Sequence, residues 1–171
     1  MKLIIFSGLP GTGKSTLAET VGRQLGIPVL AKDWLEAVLL RNALQPAPNG
    51  KSLGYVGYEL LTVLAERQLM LGQSVILDSV ASIQTIQCTW KELAVKYKAD
   101  WCIIECICSD ESLHRERLGT RKRNIPGWHE LEWTEVERVK GYYQPWNEER
   151  LILDMMDEID KNISRVMSYC E

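Results

Sequence analysis

The chain has 171 residues, 46% of them hydrophobic and 25% charged, the size and balance of one soluble domain with a single sizeable core. A net charge of -3 supplies no broad positive field, so nucleic acid is not the expected partner. No apolar run is long enough to span a membrane, and the five cysteines have neither the spacing of a metal site nor the even count of a disulfide framework. A cytosolic protein, monomeric or homodimeric, is the expectation.

The opening stretch Met1–Phe6 is too short for a secretory leader, and glycines follow at once. Leu3 to Phe6 is instead a short apolar run, the pattern of a strand covered on both faces. After a glycine-rich turn, a helix is expected from Lys14 to about Leu25, closed by Gly26. A brief strand over Ile27–Leu30 precedes a helix that opens at Asp33 and reaches about Leu44. Prolines and glycines between Gln45 and Gly54 predict a loop. Helix resumes from about Tyr55 to Leu71 and stops at Gly72. Val75–Leu77 reads as the third strand, Ile83–Tyr97 as a helix and Trp101–Ile107 as the fourth strand, whose Cys102 and Cys106, with Cys108 just beyond, read as small buried thiols. A helix over about Glu111–Leu118 leads into a basic stretch, Gly119–Leu131, broken by Pro126 and Gly127. Trp133–Tyr143 predicts a helix ending before Pro145, Arg150–Leu153 a fifth strand, and Asp157–Tyr169 a final helix.

Strands alternating with helices predict an α/β fold: one domain over residues 1–171, with a parallel sheet and helices on both faces. Ligands of such sheets sit beyond the carboxyl ends of the strands. Asp33, Asp78 and Asp154 stand at or just past such ends, which makes them candidates by position.

Between the first strand and the first helix, Gly8-Leu-Pro-Gly-Thr-Gly-Lys-Ser15 matches G-x-x-x-x-G-K-[ST] in full, with Thr16 following. The pattern arises by chance in roughly one chain in 150 of this length, and here it has the required strand–turn–helix context. Gly8, Gly11 and Gly13, with Thr12 among them, let backbone N–H groups turn inward around phosphates without a clashing Cβ. The positive end of the helix at Lys14 favours anionic oxygens. The Lys14 ammonium is suited to the outer phosphates, the Ser15 hydroxyl to the shell of a magnesium ion, and Thr16 to an inner phosphate. The expected ligands are ATP and Mg2+.

With this motif at the start of so short a chain, the sequence resembles the small P-loop kinases, the group that holds zeta toxins, chloramphenicol phosphotransferase, gluconate kinase and the polynucleotide kinase domain. The resemblance covers most of the chain and implies a three-layer P-loop fold, sheet order 2-3-1-4-5, with an arginine-rich lid over about 119–131. In that group an Asp just after the second strand receives the proton of the acceptor hydroxyl; the matching residue is Asp33. An N-cap for the following helix is the competing role. Val75-Ile-Leu-Asp78 looks like the strand whose terminal carboxylate holds magnesium, with Ser15 as the second metal group, although a strand-end cap would explain Asp78 as well. Arg117 and Arg121 match the spacing of the lid arginines, one against the nucleotide and one on the transferring phosphoryl group. The rest of the run, including Arg115 and Lys122, reads as a solvated helix end.

The pattern also departs from the group. Ser and Arg are common around the catalytic Asp where this chain has Ala31 and Glu36, and the stretch Ser82–Thr89 has no arginine. The missing Glu36-position arginine counts against a nucleic-acid end as substrate, unless Lys32 or Arg41 compensates. Trp34 and Trp128 are the two tryptophans positioned to stack on a substrate ring, and neither His114 nor His129 is assigned chemistry. Lys14, Asp33 and Arg121 are thus the expected catalytic set, acting on a small-molecule acceptor. The alternative is a regulatory ATPase without an acceptor, in which Asp33 only caps a helix.

Overall fold

A computed structural model describes residues 1–42 and 52–171. The predicted helix end at Leu44 and most of the predicted 45–54 loop lie outside these residues. Five strands, β1 (Lys2–Ser7), β2 (Val29–Ala31), β3 (Val75–Asp78), β4 (Asp100–Ile107) and β5 (Leu151–Asp154), form one sheet in the order β2-β3-β1-β4-β5. Every pairing is parallel, as expected for strands joined by helical crossovers.

The central strand is apolar on both sides because both sides are covered. Leu3 and Ile5 point into a core completed by α3 (Leu53–Met70) and α4 (Gln84–Tyr97), while Ile4 and Phe6 point into a second core completed by α1 (Lys14–Leu25) and α7 (Ile159–Tyr169). These four β1 side chains are fully buried, and each such residue stabilises the fold by about 1.5–3 kcal/mol. Trp90 of α4, also fully buried, donates its indole N–H to Thr62 Oγ1 at 2.9 Å. Cys102 and Cys106 are buried, as read, but Cys108 is only half-buried. Among the described residues, no helix is long and apolar enough to cross a membrane and no group of three or more His, Cys, Asp or Glu could hold a metal ion.

Three further helices carry the site. α2 (Lys32–Arg41) follows β2 without a break, α5 (Glu111–Thr120) follows β4, and α6 (Trp133–Lys140) leads toward β5. The helix α1 has the predicted ends and closes at Gly26, whose N–H returns to the Gly22 carbonyl. Asp110 caps α5 by accepting from the Leu113 N–H. That helix runs two residues beyond the predicted Leu118, so the predicted lid begins at Arg121 rather than Gly119.

Candidate active site

The phosphate loop joins β1 to α1 above the carboxyl ends of β1 and β3. Gly8, Gly11 and Gly13 have φ of 131°, 86° and 100°, and a Cβ at Gly8 would lie 2.2 Å from the Cys106 carbonyl oxygen. Only glycine permits this backbone. The loop is also braced from outside. Thr12 Oγ1 donates to the Leu9 carbonyl at 3.0 Å, and His114 Nε2 lies 2.7 Å from the Pro10 carbonyl oxygen. A carbonyl only accepts, so the imidazole donates through Nε2–H. Burial, with Trp133 edge-on at 5.0 Å, pushes the His114 pKa below its ordinary value. His114 therefore has a structural role that the sequence did not suggest; the available signal was its spacing of four from Leu118, the other buried residue of α5.

Asp78 ends β3 opposite Phe6 and is 3% exposed. Burial pushes its pKa up, while the Lys14 ammonium and a hydrogen bond with Ser15 pull it down. One carboxylate oxygen, Oδ1, is buried without a hydrogen-bond partner. A buried carboxylate with a spare oxygen, bonded to a hydroxyl at the head of the phosphate loop, fits a hard divalent cation with oxygen ligands. By contrast, Asp154 Oδ1 accepts from the backbone N–H groups of Ser109 and Met156. The Ser109 side chain and then those backbone bonds hold its pKa down, and the residue closes a turn outside the site.

Two cavities flank Lys14. One, of about 650 Å³, is walled by the loop from Gly11 to Thr16 and by Arg117, Met155 and Ile159. The other, of about 530 Å³, is walled by α2, α3, the β3–α4 turn and the lid. Lys14, Arg121 and Arg123 line both, so three cations stand where the two spaces meet. Arg117 Nη1 donates to the Met155 carbonyl at 2.8 Å, which holds it on the first cavity's wall. Arg121 is buried enough to lower its pKa, and its Nε has no partner. Trp34, half exposed, lines the first cavity, whereas Trp128 lines the second.

Asp33 is not the cap of α2. The cap position is Ala31, with no side-chain hydrogen bond, and Asp33 lies one residue inside the first turn. Its carboxylate is bound instead by the Arg123 guanidinium, from the predicted lid segment, and both residues line the second cavity. Spacing alone does not single Arg123 out from the basic run in which it lies. The lid tip rests on the same helix: Gly127, at φ 81°, sits where a Cβ would meet the Arg41 Cβ at 2.7 Å. Arg41 thus packs under the lid, and Lys32 pairs with Glu36 at 2.5 Å.

The β3–α4 turn is strained and braced. Ala81 adopts φ 52° without being glycine. Its N–H donates to Tyr58 Oη at 3.0 Å, and its carbonyl accepts from Gln87 Nε2 at 2.8 Å. Burial raises the Tyr58 pKa to about 12, so this phenol stays neutral. Val80, Ser82 and Ile83 of this turn face the second cavity.

Residues 3–145 match the AAA domain family. A UPF0200 protein of Aeropyrum pernix is 29% identical over 150 residues, covering 81% of this chain and 75% of that protein. A sugar kinase from Janibacter superposes with a TM-score of 0.73 at 14% identity, over 99% of this chain and 94% of that one. Kti12 of Chaetomium thermophilum, in complex with ADP-AlF3, superposes with a TM-score of 0.71 at 18% identity over 99% of both chains. The solved structures share the fold, which is that of the P-loop kinases.

Proposed function

The chain belongs to the AAA domain family, and on that premise we propose that it transfers the terminal phosphoryl group of MgATP to a hydroxyl of a small-molecule acceptor. The observation that carries this reading is the pair of cavities sharing Lys14, Arg121 and Arg123, with Asp33 on the side away from the phosphate loop. A nucleotide-hydrolysing switch needs one of these cavities; a transferase needs both.

The phosphate-loop N–H groups and Lys14 hold the phosphate oxygens in the first cavity. Bound magnesium supplies charge neutralisation of those oxygens, and Ser15 and Asp78 are the residues that would hold it. Arg121, with its unpartnered Nε, donates to oxygens on which charge develops. Asp33 holds the acceptor hydroxyl in line and receives its proton at a carboxylate oxygen. Because Arg123 binds that carboxylate, proton acceptance requires Arg123 to loosen, and the cation then lies beside the phosphoryl oxygens at the cavity junction. The docked lid excludes water that would otherwise compete as acceptor.

Asp33→Asn keeps side-chain size and removes the charge. It should leave MgATP affinity within about twofold and slow transfer roughly 100- to 10,000-fold. Parental transfer rates in this variant would remove Asp33 from the mechanism. The Arg123–Asp33 pair also favours a second reading, in which Asp33 only latches the lid of a regulatory ATPase. In that case no hydroxyl compound would accelerate ATP consumption, and Asp33→Asn would raise rather than lower basal hydrolysis.

A further inference from the structure

The acceptor cavity has an electrostatic property that narrows what it takes. It is lined by charged side chains on every wall, yet beyond its junction with the phosphate loop these are bound to one another. Lys32 pairs with Glu36 at 2.5 Å, both side chains being nearly buried at 11% and 13% exposure. Arg123 pairs with Asp33, and Arg138 with Glu135 at 2.6 Å. Lys14 and Arg121 are the remaining cations on this wall among the described residues, and both also face the nucleotide cavity. They are therefore committed to phosphoryl oxygens.

Among the described residues, an anionic acceptor seated beyond the exposed Arg138–Glu135 pair would have to take Lys32 from Glu36. That exchange leaves the Glu36 carboxylate without its partner in a partly desolvated space and sets it beside the incoming negative charge. Specificity arises as much from this kind of penalty as from new attraction. What the cavity offers in its place is ring surface and dipoles. Tyr55, Tyr58, Trp128 and Tyr142 line it together with Leu40 and Ile83. The Trp128 indole N–H is buried with no partner, a donor that a turn of the ring would bring to a ligand oxygen or ring nitrogen. At about 530 Å³ the space is of the size that holds a small organic molecule of one or two rings.

We propose that the acceptor subsite takes an uncharged, ring-bearing alcohol, gripped by stacking and hydrogen bonds, and that the Lys32–Glu36 pair rejects alcohols carrying a phosphate or carboxylate. This rests on the phosphotransferase reading for the hydroxyl, but not for the charge selection. The test uses matched probes that differ only in charge: a nucleoside and its monophosphate, and benzyl alcohol and its para-carboxylate. Binding to the full chain with magnesium and a non-hydrolysable ATP analogue is measured by calorimetry, and transfer is measured separately with labelled ATP. The uncharged member of each pair should bind at least tenfold more tightly. In Glu36→Gln, where Lys32 loses its carboxylate, that ratio should fall about tenfold or invert, and Lys32→Met/Glu36→Gln should restore it. Tighter binding of the anionic members, an unchanged ratio in Glu36→Gln, or no binding of either uncharged probe overturns the assignment. Selective binding without transfer would leave the subsite standing and overturn the phosphotransferase reading instead. Transfer to the anionic members in preference to the uncharged ones would do the reverse.

Discussion

The cavity walled by the phosphate loop is built around one contiguous stretch, Gly11 to Thr16, whereas the cavity across Lys14 is built from side chains held in ion pairs. On the first side three glycines close together in sequence hold positive φ, a backbone that suits phosphate groups of any polyphosphate. On the second side Asp33, Glu36, Tyr58 and the lid contribute side chains from elements far apart in sequence. Backbone recognition is written in a contiguous string and tolerates little change. Side-chain recognition can change one residue at a time, and Ala31, Glu36 and the arginine-free stretch Ser82–Thr89 all stand where this chain departs from the group it resembles. The lesson is that a common energy donor and an individual acceptor can be carried by one sheet because the two sites share only their junction.

The largest expected effect comes at the junction of the two sides. Lys14→Ala removes one of the three cations common to both cavities and should abolish measurable turnover, with triphosphate affinity reduced at least tenfold in calorimetry while the fold stays intact. Unchanged MgATP affinity would mean that the loop does not hold phosphates. Asp78→Asn comes next and separates catalysis from stability. Burial raises the Asp78 pKa in the folded chain, so the protonated form is favoured by folding and the charged form at neutral pH opposes it. The neutral variant should therefore melt at or above the parental temperature without ligand, yet lose the magnesium-dependent gain in stability that the parent shows with ATP. A lower melting temperature without ligand would show that Lys14 and Ser15 more than offset the burial of this charge.

A smaller effect is expected where the two sides are tied together. Arg123→Gln frees Asp33 and loosens the lid while leaving the phosphate loop untouched. Removing one partner of this partly exposed pair costs about 1–3 kcal/mol, between the exposed and buried limits, and each kcal/mol lowers Tm by roughly 2–4 °C at this chain length. Amide exchange in the segment 121–132 between α5 and α6 should rise in the variant, and a non-hydrolysable ATP analogue should only partly reverse it. Equal protection of that segment in variant and parent would show that Gly127 packing on α2, not the ion pair, holds the lid.

How much of this could be read in the sequence follows the same division. The phosphate loop, both ends of α1 and the parallel sheet depend on local periodicity, glycine placement and strand–helix alternation, and each was legible; the sheet order came from the resemblance. The resemblance located Asp33, Asp78, Arg117 and Arg121, but it could not say which arginine of the run reaches back over the cleft. That depends on the lid folding onto α2, a contact spanning 90 residues. Glu36 looked like a missing arginine; its pairing with Lys32 one turn away is a tertiary fact only because both are nearly buried. Tyr58 and Ala81 left no trace in the pattern, because one hydrogen bond across 23 residues carries the whole relation.

The smallest expected effect lies under the nucleotide side and concerns how rigidly the loop is held. His114 donates to the Pro10 carbonyl from a buried position, and burial lowers its pKa below the ordinary 6.5. The folded state thus binds the imidazole proton less readily than the unfolded chain. Between the ordinary pKa and the lowered one the unfolded chain carries more protons, so stability falls as pH drops through that window and levels off below it. His114→Gln keeps a side-chain N–H donor of comparable reach and has nothing to titrate. The parent should lose melting temperature on going from pH 7 to below 6, and the variant should lose measurably less over the same interval. The difference should be a few degrees at most, since Nε2–H already satisfies the Pro10 carbonyl and the charged ring would keep that bond while losing its hydration. MgATP affinity in the variant should weaken only two- to threefold, because the glycine conformations are fixed mainly by the backbone packing of Gly8 on Cys106. Parallel melting profiles for the two proteins across this pH range would show that His114 protonates freely in the fold and braces nothing.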